Sequence, residues 1–124
     1  MKVIVAGGRD ITNFNLVEEA IAISGFEVSE IVSGKAKGVD TLGEVWALKH
    51  NIPVEAFPAD WNAHGRSAGP IRNRQMAEYA DALVAIWDGE SKGTANMIQQ
   101  ARKNKLNVFI YLVKDTNVGK STSH

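Results

Sequence analysis

Short apolar runs rich in valine and isoleucine alternate along this chain with longer stretches in which apolar residues recur every three or four positions. The short runs fall at 2–6, 28–33, 53–57, 82–87 and 107–113, each about the length of an ordinary strand. The longer stretches, 15–24, 41–50, 68–80 and 94–104, have the spacing of amphipathic helices. Runs that stay apolar at every position predict strands covered on both faces, the environment of a parallel sheet between helices. Asn15 with Glu18, and Thr41 with Glu44, read as capping boxes at the starts of the first two helices.

Right-handed crossovers reduce this pattern to few topologies. The expected fold class is α/β, a single Rossmann-like doubly wound domain. Its five-stranded, mainly parallel sheet has the order 3-2-1-4-5, with helices on both faces. Strands one and four are then neighbours whose following connections leave toward opposite faces. The crevice at their carboxyl ends is where such sheets bind ligands. The domain is expected over residues 1–114, with 115–124 a flexible polar tail. Gly119-Lys120-Ser121 in that tail resembles the end of a P-loop, but the earlier glycine would fall at Lys114, and the motif is rejected.

Composition narrows the function classes. With 124 residues, 44% hydrophobic and 23% charged, the chain can bury a core and is neither disordered nor membranous in character. Fourteen basic residues balance fourteen acidic ones, so the overall charge that drives non-specific nucleic-acid binding is missing, and nucleic acid is not the expected partner. The N-terminal segment reads as a first strand and not as a signal peptide, and no apolar run approaches a membrane span, so a soluble protein without membrane attachment is expected. The absence of cysteine excludes disulfides and thiolate metal sites and agrees with a cytoplasmic location.

Four polar clusters follow the strands. Gly7, Gly8, Arg9 and Asp10 come after the first, where glycines bring backbone amides close to a ligand and Arg9 can clamp a phosphate. Ser33, Gly34, Lys35, Lys37, Gly38 and Asp40 surround a helix start and offer amides and cations to an anion. The third cluster lies on a long loop. There Asp60, Arg66, Gly69, Arg72 and Asn73 accompany Trp61, which offers a stacking face. Asp88, Gly89, Ser91, Gly93 and Thr94 follow strand four, with the last two at a helix start suited to phosphate and Asp88 or Asp40 suited to a ribose hydroxyl. Each cluster also has a purely structural reading, as tight turns, helix caps and solvated charges. His64 stands without a carboxylate or cysteine partner at metal spacing, so no metal site is expected.

In this order the clusters resemble the YspA-type, YpsA-related branch of the SLOG superfamily, which also includes the LOG phosphoribohydrolases and the lysine-decarboxylase-like proteins. The resemblance runs from Lys2 to about Val113. It rests chiefly on Pro58-Ala59-Asp60-Trp61 with Ala68-Gly69-Pro70-Ile71-Arg72-Asn73, supported by Gly7-Gly8-Arg9-Asp10 and Gly93-Thr94-Ala95-Asn96-Met97. It implies a Rossmann-like fold that binds nucleotides or their derivatives, for hydrolysis in some relatives and sensing in others, and it implies self-association. In the LOG enzymes a PGGxGTxxE signature supplies a catalytic glutamate, and aligning Gly93-Thr94 with it places Met97 at that position. Lys35 stands where the branch usually has a second glycine after Ser-Gly.

Methionine performs no acid or base chemistry. The expected role is therefore recognition of a nucleotide or nucleotide-derived molecule, ADP-ribose-like or a nucleoside phosphate, by a sensor, carrier or sequestering module that requires no cofactor. The alternative is a LOG-like N-glycosidic phosphoribohydrolase, for which Asp60, Asp88 and Asp10, with Glu90, are the candidate carboxylates. A third alternative is a nucleic-acid-binding module using Lys35, Lys37, Arg66, Arg72 and Arg74 beside Trp61.

Overall fold

The computed structural model describes residues 1–113. The expected tail, and the P-loop-like tripeptide within it, lie outside the described residues. Five strands form one parallel sheet: β1 (Lys2–Gly7), β2 (Glu30–Ser33), β3 (Val54–Ala56), β4 (Ala82–Trp87) and β5 (Asn107–Leu112). Their order is β3-β2-β1-β4-β5, the doubly wound arrangement expected from the pattern. β1 is central, with Val3 opposite Ile31 on one side and Ala82 on the other.

Alternation along the strands sorts two cores. Val3 and Val5 of β1, with Ala82, Val84 and Ile86 of β4, pack against Val17, Ala20 and Ile21 of α1 (Phe14–Ser24) and Trp46 and Ala47 of α2 (Val39–Lys49). Ile4 and Ala6, with Leu83 and Ala85, pack against Met76 and Ala77 of α4 (Ala68–Tyr79) and Met97, Ile98 and Ala101 of α5 (Lys92–Lys103). Both faces of the central strands are thus removed from water, which is why their sequences carry no polar alternate.

The edges behave differently. All three residues of β3 are exposed, so the expectation of a buried third strand is corrected: β3 pairs only with β2 and no helix covers it fully. β2 begins at Glu30, two residues later than its apolar run.

Neither expected capping box forms. α1 is capped by Asn13, whose side chain accepts from the Asn15 amide, so Asn15 lies inside the helix. α2 starts at Val39 after Gly38, and the Thr41 hydroxyl donates to the Ala36 carbonyl instead of capping. Glu44 meanwhile accepts from Ser33 at the end of β2 and from Lys35 in the loop that follows. The long loop after β3 also contains structure of its own, the four-residue α3 (Trp61–His64) and a 3-10 turn (Gly65–Ser67) leading into α4. Among the described residues no helix is long and apolar enough to cross a membrane.

Candidate functional site

The carboxyl ends of β1 and β4 lie side by side, with Gly7 opposite Ile86. The chain leaving β1 is held against the start of α2, where the Val39 amide donates to the Gly8 carbonyl at 3.2 Å. Gly38 makes that approach possible. Its φ of 75° and ψ of −124° suit glycine alone, and a Cβ there would stand 2.2 Å from the Gly8 oxygen. The first two clusters are in this way locked into one wall.

The second wall comes from α4. The Arg72 Nη1 donates to the Gly34 carbonyl, and its Nε donates to Asn73 Oδ1 at 3.0 Å. Asn73 Nδ2 in turn donates to Asn96 Oδ1 at 2.9 Å and, more weakly, to the Gly93 carbonyl at 3.4 Å. Arg72 therefore ties the Gly34 turn, α4 and α5 together.

Asp40 sits in the first turn of α2 and is only 6% exposed. Burial pushes its carboxyl up to about 6, while the Ala36 amide, which donates to Oδ2 at 3.3 Å, and the Arg72 charge hold it down. Burial also lowers Arg72, and the Asp40 charge counters that. A half-buried guanidinium and a buried carboxylate thus face one another across the space at Gly34, where an added Cβ would meet both within 3 Å.

The third wall is the start of α5. Ser91 is its N-cap, and the Ser91 Oγ accepts from the Thr94 amide at 3.4 Å. The Ala95 amide donates to the Ser91 carbonyl, so the Lys92 and Gly93 amides are the first-turn donors that neither cap nor helix satisfies. The turn before α5 is braced by Asp88, whose Oδ1 accepts from the Glu90 and Ser91 amides at 2.8 Å each. Those two bonds hold its carboxyl below the usual range.

These walls enclose a cavity of about 410 Å³. Of the sequence candidates, Gly7, Arg9, Asp40, Trp61, Gly69, Arg72, Asn73, Ser91, Gly93 and Thr94 line it. Trp61, which lines the cavity, is 51% exposed. The others do not reach it. Gly8, Gly34 and Gly38 shape the turns behind it. The Ser33 hydroxyl donates to Glu44, and the Lys35 ammonium pairs with Glu44 at 2.9 Å. Lys35 holds a φ of 60°, the left-handed conformation that a glycine would supply without strain.

Asp60 caps α3 by accepting from the Ala63 amide, Asp88 and Gly89 belong to the braced turn, and Asp10, Lys37, Arg66 and Glu90 are exposed away from the lining. The carboxylates singled out for hydrolysis, Asp10, Asp60, Asp88 and Glu90, therefore all lie off the cavity. Asp40 is the one acidic side chain on its wall among the described residues. The sequence reading missed Lys92 and Asn96, which also line it, together with Ala36, Pro70 and Met76. Their signal was the helical spacing of Lys92 and Asn96, four apart on one face of α5. Met97 lies on the floor of the cavity, fully buried.

The sequence model of the YspA, cpYpsA-related SLOG family (YAcAr) matches residues 1–64, half of the chain. The chain belongs to the YAcAr family. That match takes in the first wall of this YAcAr site and Trp61, and it stops short of Arg72 and α5. The YAcAr chain is also 35% identical over 79 residues to the Gene 61 protein of Mycobacterium phage D29, an alignment covering 59% of this chain and 63% of that protein, less than two thirds of its length. Among solved structures it resembles DNA processing protein A (DprA) from Streptococcus pneumoniae, with a TM-score of 0.70 and 22% identity. That likeness spans 88% of the YAcAr chain and 49% of DprA and establishes the shared Rossmann-like fold.

Proposed function

We propose that this domain recognises a nucleotide or nucleotide-derived molecule, as a sensor, carrier or sequestering module, with its phosphate at the start of α5. The observation that carries the reading is the pair of unsatisfied amides at Lys92 and Gly93, facing a cavity that also holds Arg9, Arg72 and the Lys92 side chain. α5 has no acidic residue in its first turn to compete with an anion. The half-exposed indole of Trp61 suits a base, and the Asp40 carboxylate suits a ribose hydroxyl.

Calorimetric titration with AMP, ADP-ribose and a short oligothymidylate tests it. At least one nucleotide should bind more tightly than about 1 mM, equivalent to ~4 kcal/mol. Arg72→Met should weaken that binding by roughly tenfold to a hundredfold, the usual worth of hydrogen bonds to a charged group. Gly93→Ala provides a cleaner probe. A Cβ there meets nothing within 4 Å, so the fold should be kept while the added methyl intrudes on the phosphate position. Absence of binding to every member of the set would overturn the reading.

One observation favours a second reading. Asp40, a carboxylate inside the cavity with its pKa raised, is the group to which N-glycosidic hydrolysis would fall. Release of free base from AMP, abolished in Asp40→Asn, would establish it. No turnover at high protein concentration would remove it. Self-association accompanies the recognition reading, supported by the exposed Ile23 of α1 and Val45 and Leu48 of α2. Sedimentation across a concentration series should return a species heavier than 13.5 kDa.

A further inference from the structure

The polarity of the amide side chains in the second wall can be read from one fixed point. The Nε of arginine carries a hydrogen and cannot accept one, so the Asn73 atom 3.0 Å from Arg72 Nε is its carbonyl oxygen. The Asn73 NH2 is therefore the group that faces Asn96 at 2.9 Å, and the Asn96 atom receiving it is Oδ1. This leaves the Asn96 NH2 on the far side. No acceptor among the described residues engages it, and Asn96 lines the cavity. Lys92 stands four residues before it on the same face of α5.

We infer that Asn96 is a specificity-determining residue: its NH2, held in that polarity by Arg72 through Asn73, donates to a phosphoryl oxygen of the ligand. The inference rests on the nucleotide reading and deepens it. On this wall the cavity offers donors: the Asn96 NH2, the Lys92 ammonium and the Lys92 and Gly93 amides. An acceptor-rich anion matches every one of them. A ligand presenting an amino group at the same place would leave its own donor and that of Asn96 unpaired, a mismatch that discriminates strongly. The Asn73 side chain cannot rotate to relieve it, because reversal would set an NH2 against Arg72 Nε. The relay thus carries the donor character of the Arg72 guanidinium to the Asn96 position through two neutral amides.

The test uses the uniformly ¹⁵N-labelled full chain, with hydrogen exchange of the asparagine side-chain amides followed by NMR and AMP as the probe. In the free protein the Asn73 NH2 should exchange slowly and the Asn96 NH2 freely. Saturating AMP should slow the Asn96 pair at least tenfold. Asn96→Ala should bind AMP at least tenfold more weakly, and Asn96→Asp, which replaces the donor with a negative charge, at least a hundredfold more weakly. A free protein in which Asn96 is the protected pair and Asn73 the free one overturns the assigned polarity without any ligand. A wild type that binds AMP, with Asn96 unprotected in the complex or with both variants binding as wild type does, overturns the inference and leaves the nucleotide reading standing. Failure of the wild type to bind AMP overturns this inference, while binding of ADP-ribose alone would still preserve the broader reading.

Discussion

Gly38→Ala should destabilise the domain by about 4 kcal/mol, combining strain at a glycine-only backbone conformation with overpacking against fixed neighbours. Both contributions are visible at this position. The φ of 75° is one that side chains with a Cβ adopt rarely, and the ψ of −124° takes it outside the left-handed well that asparagine tolerates. The new methyl would also lie 2.2 Å from the Gly8 oxygen and 2.6 Å from the Arg9 oxygen, backbone atoms that cannot swing aside as a side-chain tip can. Relief requires the loop after β1 to separate from α2, which breaks the Val39 to Gly8 hydrogen bond and opens the first wall of the cavity.

Urea denaturation measures the change as a lower midpoint at unchanged slope. Gly25→Ala is the control, with φ of 73° at the end of α1 but nothing within 4 Å of the added methyl. It should lose only about 1 kcal/mol, the conformational part alone. Equal losses in the two variants would show that the close approach at Gly38 contributes nothing.

Asp40 should make the stability of the free protein fall as pH rises from about 4 to about 6. Its folded pKa of about 6 stands above the ordinary 3.8, because burial penalises the charged form more than Ala36 and Arg72 favour it. Between those values the folded chain retains a proton that the unfolded chain has released, so raising the pH favours unfolding. The whole effect is roughly 3 kcal/mol, complete above pH 6 and absent below pH 4.

Asp88 works in the opposite sense, since its carboxyl is held low by two backbone amides and its contribution is lost as the medium turns acid. The difference between wild type and Asp40→Asn isolates the buried group, because Asp88 is common to both. The variant should gain stability relative to wild type across pH 4 to 6 and hold a constant difference above. A flat difference across that range would contradict a buried, desolvated carboxylate. A charge maintained at this cost is the acceptor that the proposed function assigns to a ligand hydroxyl.

The strands were legible because burial on both faces leaves a mark in every residue: β1 and β4 read as uninterrupted apolar runs, and the handedness of crossovers then left little choice of order. β3 was misjudged because an edge strand can carry the same residues as a central one, and its cover depends on what packs beside it. Helix starts were misread for a related reason. Thr41 and Glu44 have the right types and spacing for a capping box, but the Ala36 carbonyl claims the hydroxyl, and Ser33 and Lys35 claim the carboxylate. α3 and the turn after it escaped notice because so short and polar a segment carries no periodicity.

The site divides along the same line. Glycine, arginine, asparagine and tryptophan clustered after the strands marked the region around Gly7, Arg9, Trp61, Arg72 and Gly93, since their chemistry is local to each residue and strand topology brings their loops together. Which carboxylate faces the cavity could not be read that way. Asp60 and Asp88 have the same side chain as Asp40, and their roles differ through contacts made in the folded chain: turn amides engage the first two, while the packing of α2 against the sheet buries the third. The pKa of Asp40 and the direction of the Asn96 amide are likewise products of assembly, one set by loss of water and the other by a donor on a different helix. The pattern of apolar residues carries the fold because burial is a property summed along each element; desolvation and hydrogen-bond polarity at a point depend on groups distant in the chain, and they exist only once the three walls have met.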